Sequence, residues 1–247
     1  MNTFTESAVT ALQLISRGDT ELQAIVVRSL GVSITSCLIA CGFGLMLGAW
    51  LGVARFRGRD ALLTGLNTLL AVPSVVVGLL VYLLLSRSGP LGFLGWLYSF
   101  QAMVLAQSLL VLPIATALTR QIVEDAEAAS GEQLRSLGAG TGLRSLLLTW
   151  DSRYALLTVL MASFGRAVSE VGAVMIVGGN IEGFTRVMTT AIALETSQGD
   201  LPLALALGLI LLGVVLLLNA AIALLRRWRE QAEGRRYALA RGMEGLA

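Results

Sequence analysis

The sequence of 247 residues contains neither histidine nor lysine, so arginine supplies all 18 of its basic side chains. Without those two residue types the chain cannot form a histidine general base, a Ser-His nucleophile pair or a Ser-Lys dyad. Its only cysteines, Cys37 and Cys41, lie four residues apart in an apolar run. Two thiols with no other ligand type nearby make a poor metal site, so we interpret them as small packing residues.

Nucleotide-binding and acid-pair signatures are also missing. No GxxxxGK[ST] phosphate-binding loop occurs, which predicts that any ATP used by this protein is bound by another subunit. An intramembrane aspartyl-type protease would need two acidic residues facing each other from different spans, and the apolar runs contain only Glu170. An enzymatic function is therefore disfavoured, and no cofactor or metal is expected in this chain.

Charge is scarce, and long uncharged runs take its place. Charged residues make up 14% of the chain, where soluble domains usually carry about 25%. A helix needs roughly 20 apolar residues to cross a bilayer. The sequence therefore predicts an all-α, polytopic membrane protein with five spans inside one transmembrane domain, 25–226, at about 25–53, 61–86, 100–120, 154–178 and 201–225.

The arginines predict the orientation of these spans. Thirteen of them follow span one, lie between spans three and four, or follow span five, and four lie on the other side. Because short cytoplasmic loops retain positive charge, we expect the amino terminus outside and a cytoplasmic tail at 227–247. The net charge of +2 then reflects topology, and no nucleic-acid partner is expected.

Residues 1–24 predict an interfacial amphipathic segment. Phe4, Ala8, Leu12 and Ile15 fall on one face of a helix. The segment lacks the basic start and the apolar stretch of a cleavable signal peptide.

Arg166 and Glu170 are the only charges in the interior of a predicted span, away from its ends. Each costs roughly 2.5 to 3.5 kcal/mol at the centre of a membrane helix, so they are expected to face protein or water. Four residues apart on a helix, they can form an ion pair. Two roles remain open, a structural pair that fixes the bundle and a direct part in gating or anion passage.

The predicted loop at 121–153 interrupts the apolar pattern. Leu134–Gly138 has the pattern of a short amphipathic helix ended by glycine, and Thr141–Leu148 that of a second one with leucines on one side. Such a helix-glycine-helix fits a cleft in a partner protein. A solvated connector, the alternative, does not explain the leucines.

This loop resembles the EAA motif of binding-protein-dependent ABC importer permeases. Aligned on Gly138, the match runs from Glu132 to Asp151, with the acidic position and the glycine in place. The two alanines and the terminal Leu-Pro of the motif are absent.

Three further segments carry the resemblance. Phe164–Ala173 with Gly178–Ile181 is similar to the A-x-G-E-F-G-A…G-N-I stretch of oxyanion permeases, and Ala71–Gly78 is similar to their proline-containing segment. Ser169–Asp200 is most similar to tungstate-uptake permeases.

The resemblance implies a fold and a set of partners. It implies the transmembrane domain of a type I ABC importer in the inner membrane, surrounded by lipid, and a homodimer with the path on its axis. Two cytoplasmic ABC ATPase subunits, carrying ATP and Mg, would grip the loop, and a periplasmic or lipid-anchored binding protein would select the oxyanion. The predicted cargo is tungstate, with molybdate or sulfate as alternatives. A stand-alone channel or secondary transporter is the other possibility.

The candidate site residues follow from these motifs. The residues expected to couple to the ATPase are Glu132, Arg135, Leu137, Gly138, Leu143 and Leu147. Along the path or at its gate, Pro73 would kink its span, and later residues would offer hydrogen-bond donors. The residues expected there are Pro73, Gly78, Arg166, Glu170, Gly172, Asn180, Thr185, Arg186, Thr189 and Thr190. For the last four, an ordinary external loop is the alternative.

Overall fold

The structure, a computed structural model, describes residues 9–13, 15–16 and 20–244, and their side chains except at 222 and 225–244. These residues are helical or in turns, and no strand occurs among them. Half of the predicted amphipathic segment at 1–24, including Phe4 and Ala8, lies outside the described residues. So do the side chains of the predicted tail at 227–247.

The described residues from Thr20 onward form nine α-helices. In chain order they are α1 (Thr20–Val53), α2 (Arg59–Ala71), α3 (Ser74–Leu85), α4 (Phe100–Ser136), α5 (Thr141–Asp151), α6 (Arg153–Val168), α7 (Gly172–Gly178), α8 (Met188–Gln198) and α9 (Leu201–Glu244), with a 3₁₀ turn at Gly92–Leu94 before α4.

The centre of the fold is the close packing of α1 along α4. Gly44, Gly48 and Gly52 recur every fourth residue on α1, and a Cβ built on any of them would overlap α4. At Gly48 that atom would lie 2.5 Å from the carbonyl oxygen of Thr116. Small residues at this spacing let the backbones of two membrane helices approach each other.

An apolar core beside this pair joins four helices. Its buried members come from α1, α3, α4 and α7 and from Val187 just before α8, and they include Val32, Val81, Met103 and Val177. The core therefore holds the two short pieces α3 and α7 against the long helices.

The second predicted span, 61–86, is broken rather than kinked. Helices α2 and α3 meet at an angle of 98°. Pro73 has no N–H to donate, and it forces Val72 before it into an extended conformation with φ −65° and ψ 128°. The predicted distortion at Pro73 is therefore present, and it is a complete break in the helix rather than a kink.

The fourth predicted span, 154–178, is broken as well. Helices α6 and α7 meet at 57° across residues 169–171. Its sequence contains no proline. The break coincides with Glu170, whose carboxylate accepts a hydrogen bond from the backbone N–H of Ala173 in the first turn of α7.

The third predicted span continues far beyond its expected end at Arg120. Helix α4 runs to Ser136 over 37 residues, so the first half of the predicted loop at 121–153 is helical. Residues 121–130 contain neither glycine nor proline and are rich in alanine and glutamate, which favour helix. A bilayer boundary in the sequence is therefore not a helix boundary in the structure.

The described helices make a multi-pass arrangement. Three of them, α1, α4 and Leu201–Ala221 of α9, are long and apolar enough to cross a membrane, and the number rises to five if each bent pair is one span. Contacts divide the chain into two compact units, residues 1–211 and 212–247, whereas the sequence predicts a single transmembrane domain ending at 226. The second unit is described as the continuing helix α9 up to Glu244.

Candidate coupling elbow and translocation path

The link between α4 and α5 is a sharp elbow centred on Gly138. Gly138 has a φ of +81°, a left-handed conformation that side chains with a Cβ rarely adopt. The backbone N–H of Ala139 donates to Leu134 at 3.0 Å, and that of Gly138 donates to Arg135 at 2.9 Å. This pair of bonds is a Schellman motif, which closes a helix on a glycine.

A buried carboxylate holds the two arms of the elbow together. One oxygen of Glu127, Oε1, accepts from Arg135 at 2.8 Å and from Arg144 of α5 at 2.8 Å. The side chain of Glu127 is only 4% exposed and that of Arg144 is 10% exposed. Gly131 makes this possible, because a Cβ there would lie 2.5 Å from the Glu127 carboxyl carbon.

The side of the elbow that points away from the other helices is apolar and exposed. Leu148 packs inward on Ala49, Val53 and Val123, and it seats α5 on α1 and α4. The opposite side of the elbow presents Leu137, Leu143, Leu146, Leu147 and Trp150. The elbow is therefore held together by buried ion pairs, and its exposed surface is rich in leucine.

The predicted coupling residues all lie on this elbow. Leu137 is 82% exposed at its tip, with Leu143 and Leu147 on the exposed face of α5. Glu132 is exposed on the last turns of α4, and Arg135 points back to Glu127. Their role in binding an ATPase stays a prediction.

Gly138 and Gly140 offer a matched pair of substitutions. A Cβ would meet open space at either, but Gly140 has a φ of −68°, which any residue adopts. We expect Gly138→Val to reduce transport coupled to ATP hydrolysis several-fold, because a left-handed residue with a Cβ costs about 1–2 kcal/mol. Gly140→Val is the control and is expected to match the unmodified protein. Equal activity of the two variants, measured in reconstituted vesicles, would remove the conformational argument for Gly138.

The two breaks in the bent spans lie against each other. A Cβ on Gly172 would approach the Ser74 hydroxyl to 2.9 Å, and a Cβ on Gly78 would approach the Ala173 Cα to 2.7 Å. Helix α3, which starts just after Pro73, therefore packs directly on α7. Pro73, Gly78 and Gly172, which the sequence predicts along the path, share this junction.

The predicted pair between Arg166 and Glu170 is confirmed. Arg166 Nη1 lies 2.5 Å from Glu170 Oε2, and Glu170 Oε1 accepts from the backbone N–H of Ala173 at 3.2 Å. The Thr189 hydroxyl donates to the Glu170 backbone carbonyl at 2.7 Å. The pair thus braces the break between α6 and α7, while its part in gating stays a prediction.

The exposure of the two partners is unequal, and this predicts unequal mutants. The Glu170 side chain is 3% exposed, and that of Arg166 is 39% exposed. Arg166→Gln leaves a buried carboxylate without its partner. Breaking a fully buried pair costs about 3–5 kcal/mol, and we expect a smaller loss here because Arg166 is partly solvated. Glu170→Gln leaves a partly solvated arginine and a side-chain oxygen that still accepts from Ala173. We expect the first variant to unfold at a clearly lower temperature in detergent, and the reverse order would contradict the described burial.

A small polar cavity adjoins this pair. Ser29, Ser33, Gln107, Glu170 and Thr189 contribute to its lining. Gln107 is buried, accepts a hydrogen bond from Ser36 at 3.1 Å and donates to the carbonyl of Ala167, the last full turn before the break. The amide is therefore an additional donor to a carbonyl that also accepts from the backbone N–H of Glu170 at 3.1 Å, and it links α4 to the end of α6.

The loop from Gly178 to Thr190 is ordered by its own hydrogen bonds. Thr185 donates to the Gly178 carbonyl at 2.5 Å and accepts from Ile181 at 2.9 Å, and Thr190 caps α8 through Val187. Asn180 has a φ of +50° and donates to Thr190 at 3.4 Å. These side chains are engaged within the protein, and their use as anion donors stays a prediction.

Arg186, in the same loop, lies close to three carboxylates, one of them in the loop and the others on α1 and α8. It is within 3.7 Å of Glu21, Glu182 and Glu195, and its side chain is 12% exposed. Arg28 of α1 donates to the carbonyls of Arg186 and Gly183 at 2.9 and 2.7 Å. Arg186 therefore ties the loop to α1 and α8.

Sequence reasoning missed several of these residues. Glu127, Gln107, Ser74 and Glu195 are not among the predicted site residues. A signal existed for Gln107, an amide within the apolar stretch of α4, and for the Gly44-x₃-Gly48-x₃-Gly52 spacing. No local signal connects Glu127 with Arg144, 17 residues later.

Among the described residues, no group of three or more Cys, Asp or Glu side chains has an arrangement that could hold a metal ion. Cys37 and Cys41 are buried with their sulfur atoms 3.8 Å apart, and they pack on Ala115, Leu156 and Val159.

Comparisons with known proteins identify the family. No protein-family model matches the chain. The tungstate uptake system permease protein of Peptoclostridium acidaminophilum is 42% identical over 212 residues, which cover 86% of this chain and 93% of that relative. The chain belongs to the permease subunits of ABC transporters. A probable anion ABC transporter permease of Haloferax volcanii is 38% identical over 87% of this permease and 94% of its own length.

A more distant relative points the same way. The molybdenum transport system permease protein of Escherichia coli K12 is 31% identical over 74% of this permease and 83% of its own length. The predicted membership of the ABC permeases, and the predicted all-α polytopic fold, are confirmed. The orientation of the permease in the membrane stays a prediction.

Proposed function

We propose that this permease forms the membrane path of an importer that carries tungstate across the inner membrane, driven by ATP hydrolysis on separate subunits. The observation that carries the proposal is the 42% identity to a tungstate uptake permease over 93% of that relative. A second tungstate uptake permease, from Campylobacter jejuni, is 36% identical over 91% of its length.

Molybdate and sulfate are the second candidates. A molybdenum permease is 31% identical, and a sulfate permease of Escherichia coli K12 is 35% identical over 58% of this chain. Both match less of the permease than the tungstate relatives do. All three cargoes are tetrahedral oxyanions, so one path with weak hydrogen-bond donors suits each of them.

The proposed assembly contains two copies of the permease, two cytoplasmic ATPase subunits and an external binding protein. The exposed leucines of the elbow support the ATPase contact, because an apolar helical surface that is held in place by ion pairs can fit a cleft in a partner protein. ATP and Mg belong to the ATPase subunits, and the permease itself is non-catalytic. Its amino terminus is outside and the elbow is on the inner side.

In the proposed mechanism, closure of the ATPase dimer displaces the elbow, and α4 carries the displacement into the membrane. Helix α4 suits this role because it is continuous from Phe100 to Ser136 and packs closely on α1. Movement of α1 and α4 then reaches the junction of α3 and α7, where both bent spans have their breaks. The pair of Arg166 and Glu170 would keep α6 and α7 in register during that movement.

Reconstitution tests this function directly. The permease, its ATPase subunit and its binding protein are placed in vesicles, and tungstate uptake is measured by mass spectrometry of the trapped metal. We expect uptake that requires ATP and the ATPase subunit, with molybdate and sulfate competing less well than unlabelled tungstate. Uptake by the permease alone would establish a stand-alone channel, and preference for sulfate would replace the proposed cargo.

A further inference from the structure

Three arginines converge on a single carboxylate near the turn between α1 and α2. Glu124 of α4 accepts from Arg59 at 2.9 Å and from Arg55 at 3.3 Å, and Arg120 forms a short ion pair with its other oxygen. The arrangement contains three positive charges and one negative charge. It is not a balanced salt bridge, and a net charge of two remains.

The cluster also keeps most of its hydrogen-bond donors free. Each guanidinium group has five N–H donors, and within the described residues the protein acceptors are the Glu124 carboxylate and the carbonyl of Leu51. The Nε atom of Arg59 is buried with no hydrogen-bond partner. Arg55 is the accessible member, with a side chain that is 62% exposed.

Neighbouring acidic residues do not neutralise the two remaining positive charges. Asp60 and Asp125 are close in sequence and exposed, but neither pairs with the cluster in the portion of the chain that the structure describes. Arg57 adds another exposed positive charge in the same turn. The local excess of positive charge is therefore large for a part of the permease that borders its longest apolar helices.

We propose that the cluster of Arg55, Arg59 and Arg120 binds a tetrahedral oxyanion group beside Glu124. Guanidinium groups match phosphate geometry with paired N–H donors. Two ligands have that chemistry, the phosphate of an anionic phospholipid and a free oxyanion such as phosphate or tungstate. Binding there does not require the proposed transport activity.

Glu124 sets the strength of this site. Its carboxylate occupies donors that an anion would use, and its charge repels the anion. Removing an arginine and removing Glu124 should therefore shift anion affinity in opposite directions. A purely structural ion-pair cluster would give no such opposition.

The test uses the full permease purified in neutral detergent. In one arm, native mass spectrometry counts phosphatidylglycerol retained against phosphatidylcholine. In the other arm, thermal shift is titrated with inorganic phosphate and with tungstate. We expect Arg55→Gln to weaken binding about fivefold, as for one basic residue at an anionic surface, and Glu124→Gln to strengthen it by a similar factor.

Arg87→Gln is the matched control, since Arg87 is exposed and pairs with no carboxylate among the described residues. Retention of phosphatidylglycerol alone would assign the site to lipid, and stabilisation by the free ions would assign it to soluble oxyanion. Either result, with the opposite shifts, supports the proposal. Unchanged binding in Arg55→Gln, or shifts in the same direction for both variants, overturns it. If Glu124→Gln does not fold, the exposed Arg55→Gln decides the question.

Discussion

Replacing Glu127 by alanine will release the elbow and abolish coupled transport. Arg144 is 10% exposed and has no other carboxylate in the described structure, so the substitution leaves a buried cation unpaired. Breaking a buried pair in this way costs about 3–5 kcal/mol. We expect transport in reconstituted vesicles to fall more than tenfold and the ATPase subunit to co-purify less well.

Two further variants separate charge from size. Asp125→Ala changes an exposed acid two residues earlier on α4 and should leave transport unchanged. Glu127→Leu combined with Arg144→Leu removes both charges, and buried pairs replaced by apolar residues often keep their stability. The double variant should therefore be more stable than Glu127→Ala. If Glu127→Ala transports normally, the elbow does not depend on this ion pair.

Replacing Gly48 by valine will separate α1 from α4 and destabilise the whole fold. Even the first added carbon would lie 2.5 Å from the Thr116 carbonyl and 2.7 Å from the Thr119 Cβ. Thr116 contributes backbone at this contact, which cannot rotate away as a flexible side chain can. Overpacking usually costs about 1–3 kcal/mol, and we expect the upper end here because backbone must move.

Gly42→Val on the same helix is the control. A Cβ at Gly42 meets nothing within 4 Å, so the added carbon atoms face the surroundings of the bundle. We expect a large fall in the unfolding temperature in detergent for Gly48→Val and little change for Gly42→Val. Similar unfolding temperatures would show that α1 and α4 are not packed as described.

The apolar pattern was enough to predict the membrane fold. Uninterrupted runs placed α1, α4 and the start of α9, because lipid demands that each spanning segment satisfy its own backbone hydrogen bonds. The same pattern could not distinguish a bent span from a straight one. Pro73 signalled one break, and the break at Glu170 depends on a carboxylate reaching the backbone of α7, which hydropathy does not report.

The site was predictable where the chemistry is local. Gly138 and the leucines of α5 stand close together in sequence, and the ion pair of Arg166 and Glu170 follows from one helical turn. The ion pair between Glu127 and Arg144 was not predictable, because it forms only when the elbow brings α5 back onto α4. The threonines of the loop at 178–190 likewise have partners that only the folded loop provides.

Labelling of single cysteines on either side of the membrane tests the central claim, that an ATPase drives this permease through the elbow. Leu137 and Phe93 are both 82% exposed, one at the elbow and one in the turn before α4, and Cys37 and Cys41 are buried. In intact cells, Phe93→Cys should react with an impermeant maleimide, whereas Leu137→Cys should be protected and should cross-link to the ATPase subunit. Labelling of Leu137→Cys from outside, with no cross-link, would contradict the account.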